Sequence, residues 1–433
     1  MAVTPARRRA LAVLRACRSG ELADRALARA FDALKPRDRP WLQELVYGTL
    51  RLRGRLDHLL EGVVRRGLAS LEADVLDILR LGAYQLFEME SVPAYAAISQ
   101  SVALARSEAG GGAAALVNGV LRALDREPPP FPDFERDPVA YLETYGSHPV
   151  WLVERWVRRF GADAARALVE ANNRRPELYL RPLGLDPADA VERLGRAGIA
   201  AELVPFAPDA IRLAPPASAA EALAVVPAVV QDPAAGLVVR YTAPPAGARI
   251  ADLCAAPGGK ALALADGAGY VAAADLSQAR LLWVRENAAR VPALEIGLVA
   301  ADARWPPFRP VDVVLVDVPC TGTGTLRRHP DGKWRLGPGD LATLAALQRE
   351  ILAAAAEVVA PGGLLVYSTC SLEPEENEEQ VDAFLEGNAE FVLEPPPVGR
   401  IEARLLDVSG RLRVLPQETG VDGAFAARLR RRG

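Results

Sequence analysis

Two apolar runs, each of strand length and each ending in a cysteine, constrain this 433-residue chain more than any other feature. The first is Val311-Asp-Val-Val-Leu-Val-Asp317-Val-Pro-Cys320-Thr-Gly-Thr-Gly, and the second is Gly363-Leu-Leu-Val-Tyr-Ser-Thr-Cys370-Ser. Near-continuous Val/Leu runs of this length read as strands buried on both faces, as in a parallel sheet. Pro, Gly, Ser and Thr beside each thiol break the strand into a loop at its C-terminal end. In an open α/β sheet that edge is where ligands bind. Cysteines occur only at 17, 254, 320 and 370, so two at one ligand edge point to chemistry rather than packing. The bland alternative for each is a small buried hydrophobe, the commonest fate of a free cysteine.

The flanking pattern fits such a sheet. Arg249–Cys254 reads as a strand, Ala255-Ala-Pro-Gly-Gly-Lys260 as a tight glycine turn, and Ala261 onward as helix. Tyr270–Asp275 reads as a second strand, Leu276–Arg290 as a helix and Glu295–Asp302 as a third strand. The cysteine-tipped runs are strands four and five, with a long helix over Leu341–Val359 between them. Glu390-Phe-Val-Leu and Gly423-Ala-Phe-Ala-Ala-Arg-Leu are later strand candidates. The expectation over 231–433 is a Rossmann-like sheet.

Upstream, apolar residues at helical spacing in Ala10–Cys17, Trp41–Leu50, Leu71–Phe87 and Ala114–Leu124 predict an all-helical domain over 1–127. Cys17 reads there as a core residue, and Glu108-Ala-Gly-Gly-Gly-Ala as a loop. Glu127-Pro-Pro-Pro-Phe-Pro is a linker, since consecutive prolines cannot continue a helix. Helices are expected from near Ser147 to Asn173, with His148 packing or capping. Strand and helix signals then alternate from Leu178 to Val230 and predict a small α+β layer of split-βαβ type. The second domain is placed at 136–230. The fold class is thus multidomain: all-α, small α+β, then Rossmann-like α/β.

No apolar run reaches membrane-spanning length, and Met1-Ala-Val-Thr-Pro-Ala-Arg-Arg-Arg lacks the apolar core of a secretory signal, so the cytoplasm is expected. Three histidines and no Cys-x-x-Cys argue against a metal site or a disulfide framework. The net charge of −4 divides unevenly: residues 1–70 carry +8 and the remainder −12. A basic front end suits nucleic acid, although solvated helix faces explain it equally well.

Gly258 and Gly259 let the backbone of Asp252-Leu-Cys-Ala-Ala-Pro-Gly-Gly-Lys260 approach a ligand, and the following helix offers free N–H groups. The pattern is neither the dinucleotide fingerprint nor a phosphate loop. Asp275 ends strand two, where an acid can bind two ribose hydroxyls. Asp302 ends strand three, near where an adenine edge would lie. Acids at successive strand ends suit a nucleoside without a pyrophosphate, and S-adenosylmethionine (SAM) fits. Singly, such aspartates only end strands or cap helices.

The motifs Leu253-Cys-Ala-Ala-Pro-Gly-Gly-Lys, Asp317-Val-Pro-Cys-Thr-Gly-Thr-Gly, Arg327-Arg-His-Pro-Asp-Gly-Lys-Trp and Tyr367-Ser-Thr-Cys-Ser-Leu-Glu-Pro-Glu-Glu-Asn-Glu resemble those of the RNA cytosine-5 methyltransferase superfamily. Leu81-Gly-Ala-Tyr-Gln-Leu, Val92-Pro-Ala-Tyr-Ala-Ala-Ile-Ser-Gln-Ser-Val and Leu116-Val-Asn-Gly-Val-Leu-Arg resemble the RNA-binding helical domain of the antitermination factor NusB. Together they resemble the superfamily's bacterial 16S ribosomal RNA branch, the RsmB (Sun/Fmu) family, over nearly the whole length. Departures are Val318 for Ala, Thr321 for Ser and Gly332 for an apolar residue.

The resemblance implies a SAM-dependent enzyme acting on C5 of a cytosine in 16S ribosomal RNA, a monomer without metal or membrane. C5 is a poor nucleophile until a thiolate adds at C6. The two thiols cannot be ranked from their surroundings in the sequence; the resemblance implies Cys370 as nucleophile and Cys320 as the group assisting release. Asp317 can hydrogen-bond the cytosine N3/N4 edge or touch SAM, and Lys260 can support the site electrostatically or meet a phosphate. The cofactor-binding set is Cys254, Ala255, Ala256, Pro257, Gly258, Gly259, Lys260, Asp275, Arg280, Asp302 and Asp317. Cys254 is expected to pack beside SAM. The acids after Cys370 read as the first turn of a helix, with Asn377 able to order the cysteine loop. Arg327, Arg328, His329, Lys333, Trp334 and Arg335 read as a loop for flexible RNA with a flipped base. Two rival readings are the same chemistry on another RNA, such as transfer RNA, and a non-catalytic RNA-binding or antitermination factor.

Overall fold

The computed structural model describes residues 3–291 and 294–433; the first two residues of the N-terminal stretch read above lie outside it. By compactness the chain divides into Met1–Arg174 with Leu326–Gly337, and Arg175–Thr325 with Pro338–Gly433.

The first unit is helical: α1 (Pro5–Arg18), α2 (Ala23–Phe31), α3 (Arg39–Arg51), α4 (Arg53–Glu61), α5 (Ala73–Phe87), α6 (Ala94–Arg126), α7 (Pro138–Thr144), α8 (Val150–Phe160) and α9 (Ala162–Asn173). Each of α1 to α6 turns an apolar face into one core that includes Leu11, Leu42, Leu45, Leu56, Ile78, Leu79 and Leu121. α5 is buried nearly all round, and its polar residues are paired: Arg80 Nε donates to Asp57 (2.7 Å) and Nη1 to Asp77 (3.1 Å). The loop expected at Glu108–Ala113 contracts to one residue. Gly110, at φ 88°, breaks α6 while its neighbours stay helical, because a residue without Cβ can reverse the path alone. Helices also begin earlier than near Ser147: α7 starts at Pro138, where Asp137 caps it by accepting from Ala140 N–H (2.9 Å). His148 is buried, its Nδ1 2.8 Å from the Gly146 carbonyl.

In the segment Leu326–Gly337, two residues of the expected RNA loop, Lys333 and Trp334, pack inward instead. Lys333 is 1% exposed, and its Nζ donates to the Arg51 carbonyl (2.7 Å), while Trp334 Nε1 donates to the Leu50 carbonyl (2.6 Å). Both close the C-terminal end of α3, where carbonyls lack intrahelical partners. Burial, with Arg51 and Arg55 nearby, pushes the Lys333 ammonium well down. Lys333 and Trp334 therefore pack as core pins; His329 pairs with Asp24 at 3.1 Å.

The second unit holds two sheets. The smaller has β1 (Leu178–Pro182), β2 (Ala201–Leu203), β3 (Ile211–Leu213) and β4 (Ala228–Val230) in the order β2-β3-β1-β4, all pairs antiparallel, with α10 (Pro187–Arg196) and α11 (Ala219–Leu223). It is the α+β layer expected from the alternation, closed on Leu180, Leu194, Ile211 and Ala222. Next come α12 (Pro233–Thr242), β5 (Ile250–Asp252), α13 (Gly259–Ala268), β6 (Val271–Asp275), α14 (Gln278–Ala288), β7 (Ile296–Ala300), β8 (Val311–Asp317), α15 (Pro338–Glu357), β9 (Val359–Thr369), α16 (Glu378–Gly387), β10 (Phe391–Leu393), β11 (Leu412–Val414) and β12 (Ala424–Arg431). The larger sheet runs β10-β12-β9-β8-β5-β6-β7, with β11 on β12. β9 through β7 are parallel and β12 is antiparallel to β9. Separate apolar clusters around Ile250 and Leu315, and around Val314 and Leu365, fit a sheet whose side chains alternate between two covered faces. Among the described residues no helix is long and apolar enough to cross a membrane, and no cluster of three or more side chains could hold a metal.

Candidate active site

β5 pairs with β6 on one side and β8 on the other, so strand order reverses at β5. Such a switch point opens a crevice at the carboxyl ends of the strands. Asp275, Asp252 and Asp317 end β6, β5 and β8, and Asp302 lies just beyond β7. Asp252 is buried. Burial, then the neighbouring Asp317, push its carboxyl up to about 7 against the pull of Lys260. Asp275 clips the glycine turn: its oxygens accept from Ala256 N–H (3.1 Å) and Ser277 N–H (2.9 Å). Arg280 completes the clip by donating to the Ala256 carbonyl and lying 3.6 Å from Asp275 Oδ2. Ala255 N–H donates to the Ala274 carbonyl (2.8 Å), and Asn287 Nδ2 to the Pro257 carbonyl (3.2 Å). Gly258, at φ 107°, precedes α13, and a Cβ there would lie 3.0 Å from Val284 Cγ1 on α14. Asp302 has its own partner, accepting from Arg304 N–H (2.9 Å) and Nη2 (2.7 Å), which holds its carboxyl below the ordinary range.

Beside the turn, Lys260 Nζ donates to Asp317 Oδ2 (2.6 Å), and Ser368 Oγ donates to Asp317 Oδ1 (2.8 Å). Burial pulls the Lys260 ammonium down, but Asp317 more than offsets it and the net direction is up. The parallel register places Asp317 opposite Ser368, and Cys370 is the first residue past the end of β9. Across the two loops, Cys320 Sγ lies 3.3 Å from Cys370 Sγ. Both thiols are free and half-buried. The Cys370 thiol is pulled down by its hydrogen bond with Cys320 and by Lys260, against burial and Asp317. The Cys320 thiol is pushed well up by that bond and by burial. The surroundings of the two groups that looked alike in the sequence differ: Lys260 pulls the Cys370 thiol down, and Glu376 pushes the Cys320 thiol up. Burial beside Asp252 pushes the Cys254 thiol up, which leaves it an inert packing group.

The glycines after Cys320 permit this approach. Gly324 N–H donates to the Cys370 carbonyl (3.0 Å), and a Cβ on Gly324 would fall 2.8 Å from that oxygen. Asn377 reaches back, donating to the Ser371 carbonyl (2.9 Å) and accepting from the Thr369 hydroxyl.

Three family models match the chain: NusB family over 4–126, a ferredoxin-like domain of the RsmF/B-like methyltransferases over 148–220, and 16S rRNA methyltransferase RsmB/F over 239–430. The "Probable ribosomal RNA small subunit methyltransferase B" of Bacillus subtilis (strain 168) is 35% identical, covering 92% of each chain. The chain belongs to the RsmB/F family of 16S rRNA methyltransferases. The "Ribosomal RNA small subunit methyltransferase B" of Vibrio cholerae is also 35% identical, over 95% of this chain and 93% of its own. The crystal structure of PH0851 superposes with a TM-score of 0.79 at 25% identity, covering 99% of both chains.

In this RsmB/F member Cys320, Cys370, Asp317 and Lys260 lie together, and the glycine turn that carries Lys260 is clipped by Asp275 and Arg280. Sequence reasoning missed Ser368, Gln348 and Glu376. Glu376 sat inside an acidic run that reads as a helix start, and Gln348 lies on a helix with nothing to mark it. Their roles follow only from what they touch.

Proposed function

We propose that this chain methylates C5 of a cytosine in 16S rRNA through a covalent bond between Cys370 and C6, with SAM held in the crevice at β5 and β6. The observation that carries this reading is the pair of sulfurs 3.3 Å apart at the ends of β8 and β9, beside the Lys260–Asp317 pair. The crevice fits SAM in kind. Its acids, Asp252 and Asp275, suit hydroxyls and a cation, and its glycine turn lets a flat ligand approach the backbone. When bound, SAM supplies the electrophilic methyl group.

The chain's own residues do the rest. Cys370 adds as a thiolate to C6; an S–C6 bond forms and the C5=C6 electron pair makes C5 nucleophilic. The carboxylate of Asp317, held by Lys260 and Ser368, accepts from the N3/N4 edge of the adduct. Once C5 carries the methyl group, its proton passes to a water molecule acting as base, the C5–H electron pair re-forms the C5=C6 bond and the S–C6 pair returns to Cys370 as a thiolate. Cys320, in hydrogen-bond reach, donates to the departing thiolate and so eases release. A cavity of about 750 Å³ in the helical unit, lined by Arg8, Tyr95, Arg106, Asn118 and Arg122, supports RNA contact there, since guanidinium groups with an exposed aromatic suit phosphates and unstacked bases.

The test is transfer of labelled methyl from SAM to purified 16S rRNA, with bisulfite mapping of the product. Cys370→Ala is expected to abolish transfer. Cys320→Ala is expected to accumulate an RNA–protein adduct that survives denaturation. Methylation at a position other than cytosine C5, or full activity in Cys370→Ala, overturns the proposal.

A further inference from the structure

Cys320 lies three residues past the end of β8, in a loop that the sheet does not hold. The two peptide groups that bracket it are nevertheless fixed. Gln348 Nε2, on α15, donates to the Pro319 carbonyl (2.9 Å), the oxygen of the peptide entering Cys320. Glu376 Oε1 accepts from Thr321 N–H (2.9 Å), the amide of the peptide leaving Cys320, and Oε2 accepts from the Thr321 hydroxyl. The two side chains also join each other, Gln348 Nε2 donating to Glu376 Oε1 at 2.9 Å. Both are 0% exposed. The Tyr367 hydroxyl donates to the Glu376 carbonyl (2.6 Å), which ties the clamp to β9, the strand leading to Cys370. One buried amide and one buried carboxylate thus span from either side of Cys320 to the strand that carries its partner.

We propose that Gln348 and Glu376 are positioning residues that hold Cys320 Sγ in reach of Cys370; the part of this that concerns release rests on the reading of Cys320 given above. Neither side chain touches the reacting atoms. Their action is through the loop: a buried peptide group that loses its partner is costly to leave unpaired, so without the clamp the loop turns to find another. The negative charge of Glu376 also adds to the groups that keep the Cys320 proton in place.

The spacing of the sulfurs can be read without reference to catalysis. The diazene oxidant diamide joins two thiols: an S–S bond forms, and both thiol hydrogens pass to the two nitrogens of the diazene, which is reduced to a hydrazine. Its rate at Cys320 and Cys370, followed by peptide mapping of the full-length protein, reports their approach. Gln348→Met keeps the volume and removes both donations; Glu376→Ala removes the acceptors; Glu376→Gln keeps an oxygen for the Thr321 and Gln348 N–H groups. Crosslinking is expected to slow at least about tenfold in Gln348→Met and Glu376→Ala and to stay within about threefold in Glu376→Gln, because reactions governed by proximity fall steeply with small misplacements. Gln348→Met is also expected to accumulate the same RNA adduct as Cys320→Ala. Unchanged crosslinking in Gln348→Met and Glu376→Ala, or no crosslink in the unsubstituted protein, overturns the inference. Slowed crosslinking together with no adduct in Cys320→Ala leaves the positioning role standing and overturns the role of Cys320 in release.

Discussion

At Cys370, neighbouring groups pull in opposite directions: the Cys320 hydrogen bond and the Lys260 ammonium favour the thiolate, while burial and Asp317 oppose it. The net direction is down, so the Cys370 thiolate is available at lower pH than that of an ordinary thiol. The sign of the expected pH effect follows. Alkylation needs the thiolate and climbs as pH rises through the Cys370 pKa; removing a neighbouring cation moves that climb to higher pH. Lys260→Met is expected to shift the alkylation midpoint of Cys370 up by about one unit, about tenfold slower below the midpoint, as measured by iodoacetamide labelling with peptide mass readout. An unchanged midpoint means that Lys260 serves Asp317 alone. At this scale residue types were legible in the sequence and residue states were not. Two thiols beside small polar residues look alike along the chain, and only the placement of Lys260 on one side and Glu376 on the other distinguishes them.

The glycine turn between β5 and α13 shows what an element demands of its residues. Gly258 combines a φ of 107° with a neighbour, Val284, at the limit of contact. Gly258→Ala is therefore expected to strain the turn by about 1–2 kcal/mol and to weaken SAM binding at least about tenfold, by calorimetry, with little loss of helical content. Unaltered SAM affinity removes the turn from the cofactor site. The strong strand and helix signals of the larger sheet emerged where periodicity placed them, because Val/Leu runs and glycine turns act locally. Elements without such signals did not. β11 spans only Leu412–Val414 and exists through its pairing with β12, and α7 is a short helix beginning at Asp137-Pro138 between a linker and a longer pattern. Around the break at Gly110, a glycine cluster that reads as a loop is otherwise helical, because the apolar faces on both sides of it, Leu104 and Ala105 before and Ala114 and Val117 after, enter one core.

At the scale of the whole chain, arginines far apart in sequence gather in the helical unit, Arg8 among them from the basic first seventy residues. Arg8, Arg106 and Arg122 line one cavity with Tyr95, which is 74% exposed, and Asp125 is the acid among them. Replacing the three arginines by glutamate is expected to weaken 16S rRNA binding at least about tenfold and to flatten its dependence on salt, because fewer phosphates are then neutralised; SAM affinity is expected to remain. Equal RNA affinity and salt slope in that variant place the RNA elsewhere. The cationic run after Cys320 shows the opposite outcome. Lys333 looks like a phosphate ligand in the sequence, yet it is enclosed with the helical unit and bonded to a backbone carbonyl. Arginine, lysine and tryptophan in a loop carry the same composition whether they face solvent or close a helix end.

By itself the sequence determined the order of the strongly periodic elements, the glycine turn, the acids at the strand ends and the two cysteine-tipped strands, because each is written in neighbouring residues. Only the tertiary structure decided that the sulfurs of Cys320 and Cys370 meet, that Gln348 and Glu376 bracket one of them, and that Lys333 is a core residue. Those outcomes depend on strand pairing and burial between residues distant along the chain, and no local pattern encodes which partner a buried group will find.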